Sequence, residues 1–385
     1  MRVLFDARTV GREFSGVGNY VLELVRAFAA LDVDVEFLLC VHGESRLREL
    51  PLDRRFAFLE TRVSHESHPQ GDLWEELVLP RRAARHGADV IHGPAFLIPT
   101  GPSRAAKVVT VHDLVAFTHP GTIPWKYSLY MRWLIRRAVR AAARVITVSE
   151  RARREVARRL AVPSQRLDMI PHGVAGRFRP EGHAEIERVR VRYSLPHPYL
   201  LFVGNLEPRK NLPGLVRAFR LVRERLPRPT HLVVAGKIAW KSAGLLAELG
   251  APDLAHHVRT TGYVEPEDLP ALYAGAEALV FPSLEEGFGL PVLEAMACGT
   301  PVIASDVGAV AEVAGDAAAL VDPGSPESIA NGILHVLTDP ARSADLARRG
   351  LARAQCFSWE KTARETLASY ERASAPERPS GGGAR

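Results

Sequence analysis

At 385 residues, 46% hydrophobic and 24% charged, the chain has the length for two domains with sizeable cores and the make-up of an ordinary globular protein. Its net charge of +6 rests on 50 basic residues, almost all arginine and scattered rather than run together, so no nucleic-acid partner is expected. The three cysteines, Cys40, Cys298 and Cys356, are odd in number and far apart, which excludes a disulfide framework or a cysteine metal site and fits a reducing cytosol.

The start, "MRVLFDART", is not a signal peptide, because Asp6 interrupts a very short apolar run, and no stretch approaches the length of a membrane span. The expectation is a cytoplasmic protein, soluble or at most peripheral on the membrane. Strand candidates follow at 2–7, 35–41, 89–93, 107–113, 144–150 and 167–173. After the first, "FSGVGNYVLEL" (14–24) is a Gly-rich turn opening a helix. It lacks the GxGxxG spacing of a dinucleotide site, but Gly16 and Gly18 let a ligand approach the backbone. From this segment alone a loop-and-cap reading is equally good. Asp32 and Asp34 in "DVD" fall at the wrong end of the sheet for a metal, and no His/Cys/Asp cluster has metal-ligand spacing.

"TVHDL" places His112 at a strand end. The stretch 125–145, "WKYSLYMRWLIRRAVRAAARV", reads two ways. It is either a membrane-surface helix or the inner face of a helix packed on a sheet, and the second is preferred. Residues 173–198 are polar and carry Pro180, Pro196 and Pro198, a natural break between domains.

A second series of strands runs 199–205, 231–236, 258–264, 278–283, 301–306 and 318–323. The runs are short and β-branched without strict alternation, as strands buried on both faces are, and helical patterns separate them. Two doubly wound α/β domains follow, one per series. After 325 the pattern is wholly helical, and 372–385 has the composition of a disordered tail.

In parallel sheets ligands gather at the carboxyl ends of strands. There, "GNLEPRKNL" puts Arg209 and Lys210 beside a helix start, where an anion is favoured. Taken alone, the pair reads better as solvent-facing. "EEGFGLPVLEAMACGTPVIASD" (285–306) is more telling. Gly287, Gly289 and Pro291 forbid one continuous helix, so Glu286 lies on a loop and Glu294 in the first turn of the helix that follows. Two carboxylates then flank a helix N-terminus suited to phosphate.

"EGFGLPVLE", "GNLEPRKNL", "TVHDL", "ITVSERARREV", "IPHGV" and "SGVGNYV" together resemble, in order, the retaining glycosyltransferases of family GT4, with the Glu-x7-Glu motif of the GT-B fold. The resemblance spans about residues 1 to 370 and is densest over 199–322. It implies a GT-B architecture: two Rossmann-like domains facing a central cleft. Residues 1–180 would bind acceptor and 181–355 the nucleotide sugar, with a 356–371 helix packing back on the first domain. Glu294 would hold the ribose hydroxyls and Glu286 the donor sugar, with the amides of Gly287, Phe288, Gly289 and Leu290 nearby. Arg209 and Lys210 would bind the diphosphate. Gly16 would offer backbone to phosphate or acceptor, His112 would touch the transferred sugar, and Tyr263 and Val264 would border the base.

Two departures stand out: Ser15 precedes Gly16 where many relatives have a second Gly, and Asn205 stands where many have Arg. The "LEPRKN" pattern leans toward GDP-mannose. The resemblance implies no cofactor and no metal, with a hexose passing to a glycan, lipid-linked or small-molecule acceptor and a peripheral membrane contact left open. The rival readings are a sugar-nucleotide epimerase or phosphorylase, and a sugar-nucleotide sensor without turnover.

Overall fold

A computed structural model describes residues 1–13, 16–65, 67–238, 244 and 248–375. It contains two wholly parallel sheets. The first has strands β1 (Arg2–Asp6), β2 (Glu36–His42), β3 (Phe56–Thr61), β4 (Val90–Gly93), β5 (Ala106–Val111), β6 (Arg144–Thr147) and β7 (Leu167–Met169), in the order β3-β2-β1-β4-β5-β6-β7. The second has β8 (Tyr199–Val203), β9 (His231–Ala235), β10 (Val258–Gly262), β11 (Ala278–Phe281), β12 (Val302–Ser305) and β13 (Ala319–Val321), in the order β10-β9-β8-β11-β12-β13. Each order reverses direction once, beside β1 and beside β8, and that reversal opens a crevice at the strand ends.

All twelve runs read from the sequence lie on these strands. The thirteenth, β3, was missed. It is an edge strand whose side chains, all but Thr61, are partly buried or exposed, so it lacks the doubly buried signature of its neighbours. The central strands are buried throughout: Val3, Leu4 and Phe5 of β1 and Leu200, Leu201 and Phe202 of β8 have no exposed surface. Phe28 stacks on Phe37, which stacks on Phe56, joining the helix Gly16–Ala30 to β2 and the start of β3. Burial of each such ring contributes about 1.5–3 kcal/mol.

The break at 173–198 is not wholly irregular. It contains a helix, His183–Arg192, tied to the second domain where Arg188 and Arg192 each lie 2.9 Å from the buried Asp268. The last helix, Trp359–Ser374, crosses back to the first sheet. Tyr370 Oη lies 2.6 Å from His92 Nδ1, Ser369 Oγ donates to Asp168 at 2.7 Å, and Thr362 Oγ1 donates to the Pro171 carbonyl at 2.7 Å. The helix runs beyond 371, contrary to the expected tail at 372: Arg372 pairs with Asp168 at 2.9 Å and holds the final turn. The remainder of that expected tail, 376–385, lies outside the described residues.

Candidate active site

The segments that follow β5, β6, β8, β9, β10 and β11, with the start of the helix Gly16–Ala30, face a cleft of about 330 Å³ between the two sheets. Gly16, His112, Val264, Arg209, Lys210, Glu286, Gly287, Phe288, Gly289, Leu290 and Glu294, dispersed over 279 positions of sequence, all line it. Ser15 lies outside the described residues.

The loop after β11 carries Glu286, and Gly289 turns it into the helix Leu290–Ala297 with φ 103°, a conformation only glycine adopts without strain. Pro291 occupies the first turn, where its missing N–H costs nothing. Glu294 is therefore the fifth residue of the helix, at the start of the second turn and not in the first. Gly287 has a steric reason of its own: a Cβ there would sit 2.1 Å from the carbonyl oxygen of His112, across the cleft. No larger residue allows the two domains to approach so closely.

Glu286 is the charged centre. Arg209 Nη1 lies 2.8 Å from Oε2, and the Lys210 ammonium donates to Oε1. Burial alone would raise the Glu286 carboxyl, yet the two cations hold it down at about 2. Burial and the neighbouring Arg209 push the Lys210 amine below its usual value. Arg209 also reaches Glu207 at 2.8 Å, a buried carboxylate raised by desolvation. Both basic residues come from a short 3₁₀ turn, Pro208–Lys210, directly after β8, and they are not the solvent-facing pair that the segment alone suggested.

Glu294 accepts a hydrogen bond from Tyr273 Oη at 2.8 Å, and burial raises its carboxyl above the usual range. Arg177 lines the cleft nearby, paired with Glu23 of the helix Gly16–Ala30. Among the described residues, a Cβ on Gly16 would meet nothing within 4 Å. His112 is buried, and its Nε2 lies 2.8 Å from the Pro94 carbonyl, to which it donates, leaving Nδ1 as an acceptor. Burial lowers its pKa and keeps the ring neutral. Val264 and Tyr263 close the far end, where Lys237 Nζ sits 4.7 Å from the Tyr263 ring centre.

Sequence reasoning missed four residues here. Arg177 pairs with Glu23, 154 positions away, Tyr273 precedes Glu294 by 21 positions, and Glu207 lies two residues before Arg209, its partner. His172, in the "IPHGV" segment, stands beneath Phe288 with ring centres 4.8 Å apart and stacks on Tyr20 and Trp359. Neither of its buried ring nitrogens has a hydrogen-bond partner among the described residues. Its place in a quoted motif was the only available signal.

A separate cluster also went unseen. Asp6, His65 and Glu75 bring ligand-type atoms within 4.8 Å of one another. The positive charge there belongs to Arg8, 2.6 Å from Asp6 and 3.1 Å from Glu75 and itself buried, with its guanidinium over Trp74.

Comparison with known proteins matches this geometry to a family. The model described as "Glycosyltransferase Family 4" matches residues 14–175, and that described as "Glycosyl transferases group 1" matches 185–353. The chain is 34% identical to O-antigen chain mannosyltransferase B of Escherichia coli, over 96% of this chain and all of that one. It is 33% identical to the MMP alpha-(1->4)-mannosyltransferase of Mycolicibacterium hassiacum, over 76% of this chain and 72% of that one. Among solved structures, Anabaena HepE in complex with UDP and glucose superposes with a TM-score of 0.75 at 19% identity, covering 96% of this chain and 99% of that one. With its two parallel-sheet domains and the paired carboxylates of its cleft, the chain belongs to glycosyltransferase family 4 and is a glycosyltransferase of the GT-B fold.

Proposed function

We propose that the enzyme transfers mannose from GDP-mannose to a hydroxyl of a glycan acceptor, free or lipid-linked, with retention and without a metal ion. The observation that carries this reading is the charge balance around Glu286. Half-buried Arg209 and buried Lys210 share the firmly ionised Glu286 carboxylate, and Arg209 also pairs with Glu207, whose carboxyl burial raises above its usual value. Both cations line the cleft together with the start of the helix Leu290–Ala297, where an anion such as a departing nucleoside diphosphate is stabilised. The mannosyltransferase names of the relatives support the sugar.

In this reading the diphosphate lies against Arg209, Lys210 and the start of the helix Leu290–Ala297. Glu294 accepts from the ribose hydroxyls, and Tyr263 and Val264 flank the base. Glu286 accepts from the donor sugar's hydroxyls, and His112 Nδ1 does so from the first domain. The bond from the anomeric carbon to the phosphate oxygen breaks as positive charge develops on the ring. The acceptor oxygen bonds that carbon on the same face, and its proton passes to an oxygen of the departing diphosphate. Close approach of Gly287 to His112 excludes water, which would otherwise consume the donor.

The test is thermal stabilisation of wild type and Glu294→Ala by GDP, UDP and ADP, followed by assay with the matching mannose or glucose donor in excess EDTA. A true ligand at about 100 times its Kd adds roughly 2.7 kcal/mol. GDP alone acting, with the response lost in Glu294→Ala and an α-linked product seen by NMR, supports every part of the proposal. A response to UDP or ADP instead refutes GDP-mannose, loss of activity in EDTA refutes metal independence, and release of free sugar or an epimer refutes transfer.

A further inference from the structure

Among the described residues, every cation that lines the cleft already has a carboxylate. Arg177 pairs with Glu23, Lys237 Nζ lies 2.5 Å from Glu13, Lys210 donates to Glu286, and Arg209 pairs with both Glu286 and Glu207. Asp113 and Glu294 line the same walls and add two more carboxyl groups. A nucleotide sugar brings further negative charge on its diphosphate, against a helix N-terminus that supplies only partial positive charge. Given the nucleotide-sugar donor proposed above, on which this inference rests, some group in the cleft must give up negative charge as the diphosphate enters.

Glu207 is the group placed to do so. Its side chain is buried, and among the described residues its one ion pair is to Arg209, whose Nη2 lies 2.8 Å from Oε1. Glu286, by contrast, holds two cations and stays ionised. Glu294 accepts from Tyr273, which favours its charged form, and Asp113 is half-buried and accepts from the Val115 N–H. The charged groups that face Glu207 are Arg209 and Lys210 of its own turn, Glu286 from the loop after β11, and Asp113 from the end of β5 across the cleft. Lys237, at the neighbouring end of β9, is turned instead to Glu13 and Tyr263. Burial already raises the Glu207 carboxyl, and a diphosphate held by Arg209 sets more negative charge beside it. The turn does not need the carboxylate for its shape. The Lys210 N–H donates to the Glu207 main-chain carbonyl at 3.0 Å, and the Glu207 side chain caps nothing.

We propose that Glu207 is a positioning residue for the donor: it takes up a proton from solvent as the diphosphate arrives, and so releases Arg209 Nη2 from its ion pair to a phosphate oxygen. The proton settles on a Glu207 carboxyl oxygen, and departure of the nucleotide returns it to water. Donor binding then depends on pH through this one group. Affinity is greatest while Glu207 of the free enzyme is neutral. It weakens tenfold per pH unit once binding must draw the proton from solution, and levels off above the value that the carboxyl has in the complex. Glu294 sets the opposite, acidic limb, since it accepts from the ribose when ionised.

The experiment is calorimetric titration of the full chain with GDP-mannose and with UDP-glucose, whose esterified diphosphates neither gain nor lose a proton near neutrality. Each is run at pH 7.5 in two buffers of very different ionisation heat, with and without EDTA, and then from pH 6 to 9. For whichever donor binds, wild type should take up about one proton per nucleotide, and its Kd should rise about tenfold per pH unit on the alkaline side. Glu207→Gln should take up none and lose the alkaline slope, so that at pH 9 it binds about tenfold tighter than wild type or better. Glu207→Ala should likewise take up none, while Glu207→Asp, which keeps an acid, should retain uptake and slope. A merely structural contact would move neither the proton count nor the slope. Donor binding without proton uptake, uptake that persists in Glu207→Gln and Glu207→Ala, or binding that EDTA abolishes overturns the proposal. If neither donor binds wild type, the donor reading falls and this one with it.

Discussion

Arg209 stands 2.8 Å from Glu286 on one side and 2.8 Å from Glu207 on the other, so one guanidinium bridges two buried carboxyls at the mouth of the second sheet. Removing the Glu286 charge frees both Arg209 and Lys210 for a ligand's phosphates. Glu286→Gln should therefore keep or tighten GDP affinity while lowering kcat by about 100-fold or more, the scale of losing one aligned transition-state contact. Calorimetric titration with GDP, set beside kcat, checks this. A parallel fall in both quantities would move Glu286 from the sugar to the diphosphate.

Glu294 and Tyr273 form the other polar pair. Tyr273→Phe deletes the 2.8 Å hydrogen bond to the carboxylate without changing ring volume. The expected cost is about 1 kcal/mol, or roughly fivefold in nucleotide affinity. Because burial holds the Glu294 carboxyl above its usual range, its ionised form is lost earlier on acidification than an exposed glutamate's would be. Nucleotide binding should weaken as pH falls through that raised value, and at a higher pH in Tyr273→Phe, since the hydroxyl that favours the charged form is gone. Titrations at several pH values decide it.

Gly287→Ala tests the approach of the domains. Its new methyl would overlap the His112 carbonyl, which belongs to strand β5's end and cannot yield cheaply. In the proposed reading the nucleotide is held by the second domain, so GDP affinity should hold within about threefold while kcat falls by about 100-fold. Equal loss of both would show that the 286–290 loop itself had collapsed.

Much of this was readable in the chain because parallel strands are buried on both faces and announce themselves as short apolar runs, while Gly289 and Pro291 can do little else than turn a loop into a helix. Glu286 and Glu294 were found through that local grammar. The edge strand β3 escaped because half its surface stays wet. Tyr273, Arg177 and His172 escaped for a different reason: each acquires its role from a neighbour that only the fold supplies, while Glu207, two residues from its partner Arg209, escaped because its burial is not legible in the segment. The stretch 125–145 was legible only as an alternative between an outward and an inward apolar stripe, and the fold shows both: Met131 and Ile135 face in, Trp125 and Trp133 face out.

Acid stability follows from the buried histidines of the first domain. His92 lies between Tyr370 Oη at 2.6 Å and Thr110 Oγ1 at 2.9 Å, and burial depresses its pKa from 6.5 to about 3. His112 and His172 are depressed by burial as well. A depressed folded value means that the unfolded chain binds more protons below pH 6.5, so the stability these rings contribute is present above that pH and drains away as pH falls toward 3. Glu286 is also depressed, but its window opens only below its ordinary 4.5, while Glu75, Glu207 and Glu294, raised by burial, work in the opposite sense, so the histidine part is read from the variants against wild type. That part is a drop in melting temperature as pH falls from 6.5 to 5. His172→Phe should flatten the drop without lowering stability at pH 7.5, since neither ring nitrogen has a partner to lose. His92→Phe should flatten it too, but at a cost near 1–3 kcal/mol, because Tyr370 Oη loses its partner and Thr110 Oγ1 keeps only Tyr20 Oη at 3.2 Å. Melting curves from pH 7.5 to 5 for the three proteins separate these outcomes, and variant curves that run parallel to the wild-type curve would mean that these rings are not held neutral in the fold.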